Sequence, residues 1–317
     1  MKILLTLNKT YRGLPDTGHW YTFEPLRELG HEVVWYDTVS PHVKDYDKVI
    51  EAFKPDLIWC CFTGNRAITP YEPWDSVKRE TATGRTKTFH WFTDDTWRFD
   101  AKPMGSNVAC HGFTACSTPE PGYVEKYKDC GYENIFLATW HANSKFYSPK
   151  EYSKRENEMC FLGGMNPTRE SFFRRVAQLD HVMSNEDIDK MLPIDLTRGL
   201  DTDEMFKFHS NTKIGINLSI NHNDPDKKTQ MKQRIFETAA GGGLIFTEYH
   251  EPIKEFFEED KEMITFKTAE EFISKLRFLQ KNQSIAEKIA QSGHKRFLAE
   301  HDSKIRLAKL LKQIEEV

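Results

Sequence analysis

Lys232-Gln233-Arg234-Ile235-Phe236-Glu237-Thr238-Ala239-Ala240-Gly241-Gly242-Gly243, followed by Leu244-Ile245-Phe246-Thr247, is the stretch whose reading decides the fold. Residues 232–240 read as a helix. Three glycines stop it and let the backbone come close to a neighbour. Residues 244–247 then form a short apolar run, the pattern of a buried strand. Lys232 and Arg234 can meet a diphosphate, and Glu237, one turn further on, can accept hydrogen bonds from a ribose. A surface helix with a glycine cap accounts for the same letters without any ligand.

Outward from this segment the same alternation recurs. In the C-terminal half, strands are expected at 159–162, 213–218 and 244–247, and helices at 168–179, 202–209 and 232–240. After residue 266 the chain reads as helical to its end, with a capping box of Thr268 and Glu271 at the start of that run. In the N-terminal half, strands are expected at 3–7, 32–36, 57–61, 86–92, 112–116 and 135–137, and helices at 20–29, 45–53 and 119–129. Pro25 delays or kinks the first helix, and Gly30 ends it. The polar stretch 147–157, with Pro149 inside it, reads as a linker. Strand–helix alternation implies parallel sheets. The expectation is therefore two Rossmann-like domains, 1–148 and 149–317, facing across a cleft, with a helical C-terminal tail. Ligands then belong in the loops beyond the carboxyl ends of the strands.

Composition fits a soluble two-domain protein: 317 residues, 38% hydrophobic and 29% charged. The net charge of −4 gives no general attraction to nucleic acid or anionic lipid. The first nine residues lack the apolar length and cleavage site of a signal peptide, and no apolar run approaches a bilayer span. Cys60, Cys61, Cys110, Cys116, Cys130 and Cys160 show no pairing rhythm and no metal-ligand spacing. They read as reduced thiols of a cytoplasmic protein.

Three further loops carry chemistry. Gly163-Gly164-Met165-Asn166-Pro167-Thr168-Arg169 follows a strand and opens a helix. Its glycines let a phosphate approach the helix N-terminus, and Arg169 adds a cation. An ordinary tight turn is the plain alternative. His90-Trp91-Phe92-Thr93-Asp94-Asp95-Thr96-Trp97-Arg98 ends a strand in the N-terminal half. Asp94 or Asp95 can orient or deprotonate an acceptor hydroxyl, and His90, Trp91 and Trp97 can line the acceptor. The alternative is a helix cap at either aspartate. Thr17-Gly18-His19-Trp20 follows the first strand, where His19 suits an acid–base role or a cap-and-turn role. Asp224-Pro225-Asp226 has the spacing of a metal-binding D-x-D, but Lys227 and Lys228 beside it favour a solvated loop. No metal site is expected.

The segment 232–247 resembles the CgeB-like glycosyltransferases, near the large glycosyltransferase family 4. These carry Lys-x-Arg-x-Phe-Glu, small residues and glycines, then an apolar strand. Glu251-Pro252-Ile253-Lys254-Glu255-Phe256-Phe257 and Ala286 to His294 resemble the family's next helix and late helix, with Arg296 and His301 at its basic positions. Leu26-Arg27-Glu28-Leu29-Gly30-His31-Glu32-Val33 matches its first helix and second strand, and 117–147 is similar too. The resemblance implies a GT-B fold and a nucleotide-sugar co-substrate, a UDP-sugar, in place of any resident cofactor or metal. It puts Glu237 on the donor ribose and Lys232 or Arg234 on the diphosphate. Gly163, Gly164, Arg169, Gly241 and Gly242 complete the expected donor site. Many relatives carry a second glutamate eight residues earlier, where this chain has Thr229. Sugar contacts then fall to other groups, with Asn221, His222 and Asn223 as candidates. The acceptor is a saccharide or other glycan on one reading. On another it is hydroxymethylated DNA, as for a phage-encoded enzyme, with Arg66, Lys87, Lys150, Lys154 and Arg155 on phosphates. A sensor that binds the nucleotide without catalysis is the third.

Overall fold

The computed structural model describes the whole chain except residues 12, 103, 165, 180–201 and 221–227. The chain forms two compact units, Met1–Thr139 with Ser303–Val317, and Trp140–Asp302.

Unit 1 holds a six-stranded parallel sheet. Its strands are β1 Lys2–Leu7, β4 Glu32–Asp37, β5 Leu57–Cys60, β6 Lys87–Trp91, β7 Ala115–Thr118 and β8 Ile135–Leu137, in the order β4-β1-β5-β6-β7-β8. A small antiparallel hairpin, β2 Thr10–Tyr11 and β3 Leu14–Pro15, stands on the loop after β1. The central strand β5 is apolar and buried at every residue, Leu57–Cys60, because helices cover both faces of a parallel sheet. Strand order reverses at β1, so the crevice of this sheet opens between the loops that follow β1 and β5.

Pro25 acts as the sequence suggests. A π-helical turn, His19–Phe23, precedes the α-helix Glu24–Glu28, and Pro25 sits in the first turn of that helix, where its missing N–H costs nothing. The helix Tyr46–Phe53 is capped by the Asp45 carboxylate. The helix Trp74–Thr83, closed by left-handed Gly84, was not foreseen, because its charged exterior hides a stripe of only two buried residues, Val77 and Glu80.

Unit 2 holds a four-stranded parallel sheet in the order β12-β11-β10-β9, made of β9 Asn157–Cys160, β10 Thr212–Asn217, β11 Leu244–Glu248 and β12 Met263–Phe266. Helices Pro167–Leu179, Thr202–Ser210, Gln233–Ala240, Ala269–Lys281 and Gln283–Arg296 flank it. Its core joins Phe161, Phe173, Phe246, Phe266 and Phe272 to aliphatic residues of the helices. The Thr268 hydroxyl accepts the Glu271 N–H, which caps the Ala269–Lys281 helix.

Two boundaries differ from the sequence reading. The stretch 147–157 is a strap folded onto unit 2, not a linker. Ser148 N–H donates to Ser210 Oγ, Lys150 N–H to the Ser210 carbonyl, and Arg155 Nη1 to the Thr212 carbonyl at 2.7 Å, while Tyr152 enters the core. Backbone and guanidinium hydrogen bonds thus satisfy polar residues that look solvated in the sequence. The domain split expected at 148/149 falls instead at 139/140. The last helix, Ser303–Glu315, belongs to unit 1 rather than to a C-terminal tail of unit 2. It buries Leu307, Leu310, Leu311 and Ile314. Lys87 Nζ donates to the carbonyls of Ile314 and Glu315, placing a cation on the negative end of that helix. Lys87, one of the cations considered for DNA phosphates, is thereby engaged within the fold.

Leu311→Ala is expected to lower the stability of unit 1 by about 2–5 kcal/mol, the usual cost of such a core truncation. Urea unfolding followed by tryptophan fluorescence checks it. A change within ~0.5 kcal/mol, typical of surface positions, contradicts a closing helix that is part of this core.

Candidate functional site

In unit 2 the side chains of interest collect at the carboxyl edge of the sheet. Arg234, in the first turn of the Gln233–Ala240 helix, lies back over the Phe161 ring with its guanidinium carbon 4.4 Å from the centroid. Its Nε donates to the Leu162 carbonyl and its Nη1 to Asn217 Oδ1 at 2.9 Å. Asn217 is held in turn by donating to Thr247 Oγ1 and Ser219 Oγ. Gly163 is required here: a Cβ at this position would lie 2.0 Å from Arg234 Nη2. Arg169, from the next helix, reaches the same ring at 5.4 Å and donates to the Gly164 carbonyl, while its buried Nε has no partner. Asn166 caps the Arg169 N–H.

Neither guanidinium forms an ion pair with a carboxylate among the described residues. Burial, reinforced by Arg169, pushes Arg234 down to about 9; burial also lowers Arg169. Both remain cations at neutral pH, and their mutual repulsion falls when an anion arrives. Lys232, half-buried at the N-cap of the same helix, adds charge to this edge.

Glu237 is buried one turn further along. Its Oε1 accepts from Gln233 Nε2 at 3.1 Å, and its Oε2 stands 3.8 Å from His209 Nε2. Burial, with Arg234 adding to it, pushes His209 down to about 3, so the imidazole is neutral and the contact is not an ion pair at neutral pH. Gly241 and Gly242 lie at the opposite end of the helix from Lys232. A Cβ on Gly241 would strike the His209 backbone at 2.7 Å. Gly242 has φ +69° and lies against Pro149 and Arg155. The structure gives this pair the turn into β11 and places it away from the cationic edge, because a helix that follows a strand leads its C-terminus back to the amino ends of the sheet. Asn221, His222, Asn223 and Asp224-Pro225-Asp226 lie outside the described residues.

Sequence reasoning missed Asn217 and Glu248. Each is a polar residue at the carboxyl end of a strand, directly after an apolar run or a threonine, which is the signal that could have found them.

In unit 1 the loops after β1, β5 and β6 converge. Cys61, just past β5, reports it: burial and then the carboxylates of Asp16, Asp94 and Glu72 push its thiol up to about 12, against the pull of Arg98. Asp16 accepts the Gly18 N–H and the Asn8 amide, and burial raises it. The Glu72 carboxylate gathers the N–H groups of Thr63 and Gly64, the Thr69 hydroxyl and the Trp74 indole N–H, which fixes the β5 loop. Arg98 donates to the Thr63 carbonyl and packs on Gly64, whose φ of +67° suits glycine. Asp16 and Glu72 lay in loops without a motif and were not expected, and Arg98 closed the 90–98 stretch without a role assigned to it.

The adjacent aspartates part company. Asp94 is half-buried at the start of the short helix Asp95–Arg98. Asp95 is 1% exposed, accepts from Ser106 Oγ and Tyr127 Oη, and is pushed up to about 6 by burial. That network is internal, so Asp95 holds the helix in place and does not face an acceptor. His90 and Trp91 are likewise enclosed, because β6 is a central strand covered on both faces. His90 Nε2 accepts the Phe62 N–H among the rings of Phe92, Phe113 and Trp74, and Trp91 Nε1 donates to the Ala138 carbonyl. Neither provides the acceptor contact expected of it. Trp97 is exposed, beside the Arg98 guanidinium. His19 stacks on Phe23 and Trp35 and lies 3.8 Å from Glu24.

Among the described residues no group of three or more His, Cys, Asp or Glu is arranged to hold a metal, and no helix is long and apolar enough to cross a membrane.

Two parallel Rossmann-like units, one with cations along its carboxyl edge, define the GT-B class of α/β fold. Residues 169–312 match the family described as glycosyl transferase-like, so the chain carries a glycosyltransferase family domain. Solved structures agree on the fold. A sucrose-phosphate synthase from Thermosynechococcus elongatus superposes with a TM-score of 0.67 at 9% identity over 100% of both chains. The Anabaena protein HepE in complex with UDP-glucose gives 0.65 at 12% over 100% of both. An alpha-glucosyltransferase in complex with UDP-glucose and DNA containing an abasic site gives 0.66 at 12% over 99% of both. No curated protein matches the chain in sequence.

Asp95 has its pKa raised above the unfolded value of 3.8, so its contribution is present at low pH and lost as pH rises through about 6. Asp95→Asn is expected to abolish that fall in stability between pH 4 and 6 in denaturant titrations. An unchanged slope contradicts the buried network.

Proposed function

We propose that the chain transfers a sugar from a nucleotide-sugar donor, a UDP-sugar, to the hydroxyl of a saccharide or other glycan, as a member of the CgeB-like branch. The observation that carries this reading is the pair of guanidiniums, Arg169 and Arg234, gathered over one ring with no carboxylate bound to either. Two partly dehydrated cations at a glycine-lined strand end suit a diphosphate, and holding the leaving group is the largest single task in this chemistry. Lys232 adds a third positive charge, so the departing diphosphate is stabilised by side chains without a metal or a resident cofactor. The Gly163-Gly164 turn gives the phosphates access, and Glu237 receives the ribose hydroxyls.

On unit 1, Asp94 takes the proton of the acceptor hydroxyl as its oxygen bonds to the anomeric carbon, while the bond from that carbon to the diphosphate breaks. Trp97 offers an exposed ring for stacking on the acceptor. His19, stacked on its neighbours, is the weaker acid–base candidate.

A second reading has a hydroxymethylated base in DNA as acceptor. What favours it is the likeness to the alpha-glucosyltransferase whose structure includes DNA. Retention on immobilised hydroxymethylated DNA that disappears at moderate salt supports it, and no retention at low salt counts against it.

The donor reading is tested by thermal stabilisation with UDP-, GDP-, ADP- and CMP-sugars, with and without magnesium. A shift with one nucleotide, independent of magnesium, is expected. Arg169→Gln should weaken that ligand by roughly tenfold to a hundredfold, the worth of a charge-assisted contact, while the melting temperature without ligand stays close to that of the wild type. No shift with any nucleotide contradicts the reading. On the acceptor side, Asp94→Asn is expected to lose turnover by a factor of about 100 or more, as for removal of a general base. Asp95→Asn should retain it. Full turnover in Asp94→Asn places the base elsewhere.

A further inference from the structure

Strand β11 ends in a carboxylate that the donor reading leaves without a task. Glu248 stands half-buried at the carboxyl edge of unit 2. Its Oε2 accepts two consecutive backbone N–H groups, from Ser219 at 2.7 Å and Ile220 at 2.9 Å. Its main-chain carbonyl accepts the hydroxyls of Ser219 and Thr247. One carboxylate oxygen is thus saturated and the side chain is fixed in direction. The other, Oε1, has no hydrogen-bond partner among the described residues.

The surroundings narrow what Oε1 can meet. Lys232 and Arg169 are the cations whose charge reaches Glu248, and both belong to the proposed diphosphate site. Glu248 itself forms no ion pair with either among the described residues. A carboxylate near these cations, with one oxygen taken by the backbone and the other without a protein partner among the described residues, is complementary to a ligand that carries an anion and a hydroxyl donor a few bonds apart. A sugar bonded through its anomeric carbon to a diphosphate has that pattern; a free nucleotide presents its hydroxyls on the ribose, further from the terminal phosphate. The Ser219–Ile220 backbone that aims the carboxylate is itself tied down: Gln230 N–H donates to the Ser219 carbonyl, and Thr229, which bridges Ile220, hydrogen-bonds His250 Nδ1 at 2.8 Å.

We infer that Glu248 accepts a hydrogen bond from a hydroxyl of the transferred sugar and so distinguishes the loaded donor from the bare nucleotide. The inference rests on the donor reading above.

Glu248→Gln tests it. Glutamine keeps an oxygen for the two backbone N–H groups and replaces the other with a donor, so the fold is expected to survive. Affinities for UDP and for a panel of UDP-hexoses are measured by calorimetry on the full chain. In the wild type at least one UDP-hexose should bind more tightly than UDP. In Glu248→Gln that hexose should weaken by about tenfold to a hundredfold, the range for a hydrogen bond to a charged group, with UDP unchanged. The unchanged UDP affinity also certifies the folded site. Equal weakening of UDP and UDP-hexose overturns the inference, because the carboxylate then serves the nucleotide. A preference for the hexose that survives the substitution overturns it too. A wild-type chain that binds neither ligand removes the donor reading, and this inference with it.

Discussion

The buried guanidinium of Arg234 is the constraint on which unit 2 is arranged. It takes its place through the Leu162 carbonyl, Asn217 Oδ1 and the face of Phe161. Together these contacts bind two strand ends to the Gln233–Ala240 helix: Phe161 and Leu162 follow β9, and Asn217 closes β10. A buried cation is costly unless its hydrogen-bond donors find partners, and here neutral acceptors take the Nε and Nη1 donors. The result is a positive charge that the fold has positioned without neutralising. Gly163 follows from the same constraint, since any side chain there would occupy the guanidinium's place. His209 is kept neutral first by its burial and then by Arg234, so its 3.8 Å contact with Glu237 is not an ion pair.

Unit 1 solves a different problem with similar means. Its carboxyl edge carries acids rather than cations, and two residues set the shape of the loops that hold them. Glu72 draws in the amides of the β5 loop, and Arg98 fastens that loop to the helix that begins beside Asp94. Asp95 and Tyr127 anchor the same helix from below. Asp94 is left half-buried at the sheet edge, supported on both sides.

Most of the fold could be read from the sequence because parallel strands buried on both faces announce themselves as apolar runs. Nine of the ten strands of the two sheets were expected within a few residues of their observed limits, and β12 falls on the apolar run that precedes the expected helical end. The strap at 147–157 was misread because its polar groups are satisfied by the backbone of unit 2, which no local pattern reveals. The return of the last helix to unit 1 was missed for a related reason: an amphipathic helix shows that it has a partner, but not which one. In the site, Arg169 and Arg234 were visible through glycines and charge at a strand–helix turn. Asp94 and Asp95 were indistinguishable in sequence, and only Ser106 and Tyr127, distant along the chain, separate them. Glu248 and Asn217 stayed hidden because a single polar residue after a strand is common, and its meaning comes from neighbours on other strands.

The central claim is that the Arg169–Arg234 pair exists to hold a diphosphate. The most direct measurement compares uridine, UMP and UDP binding to the full chain by calorimetry, in the wild type and in Arg169→Gln. The account predicts that affinity climbs with each phosphate and that the substitution removes most of the gain from UMP to UDP while leaving uridine unchanged. Equal affinity for uridine and UDP, or a phosphate gain untouched by the substitution, would contradict it.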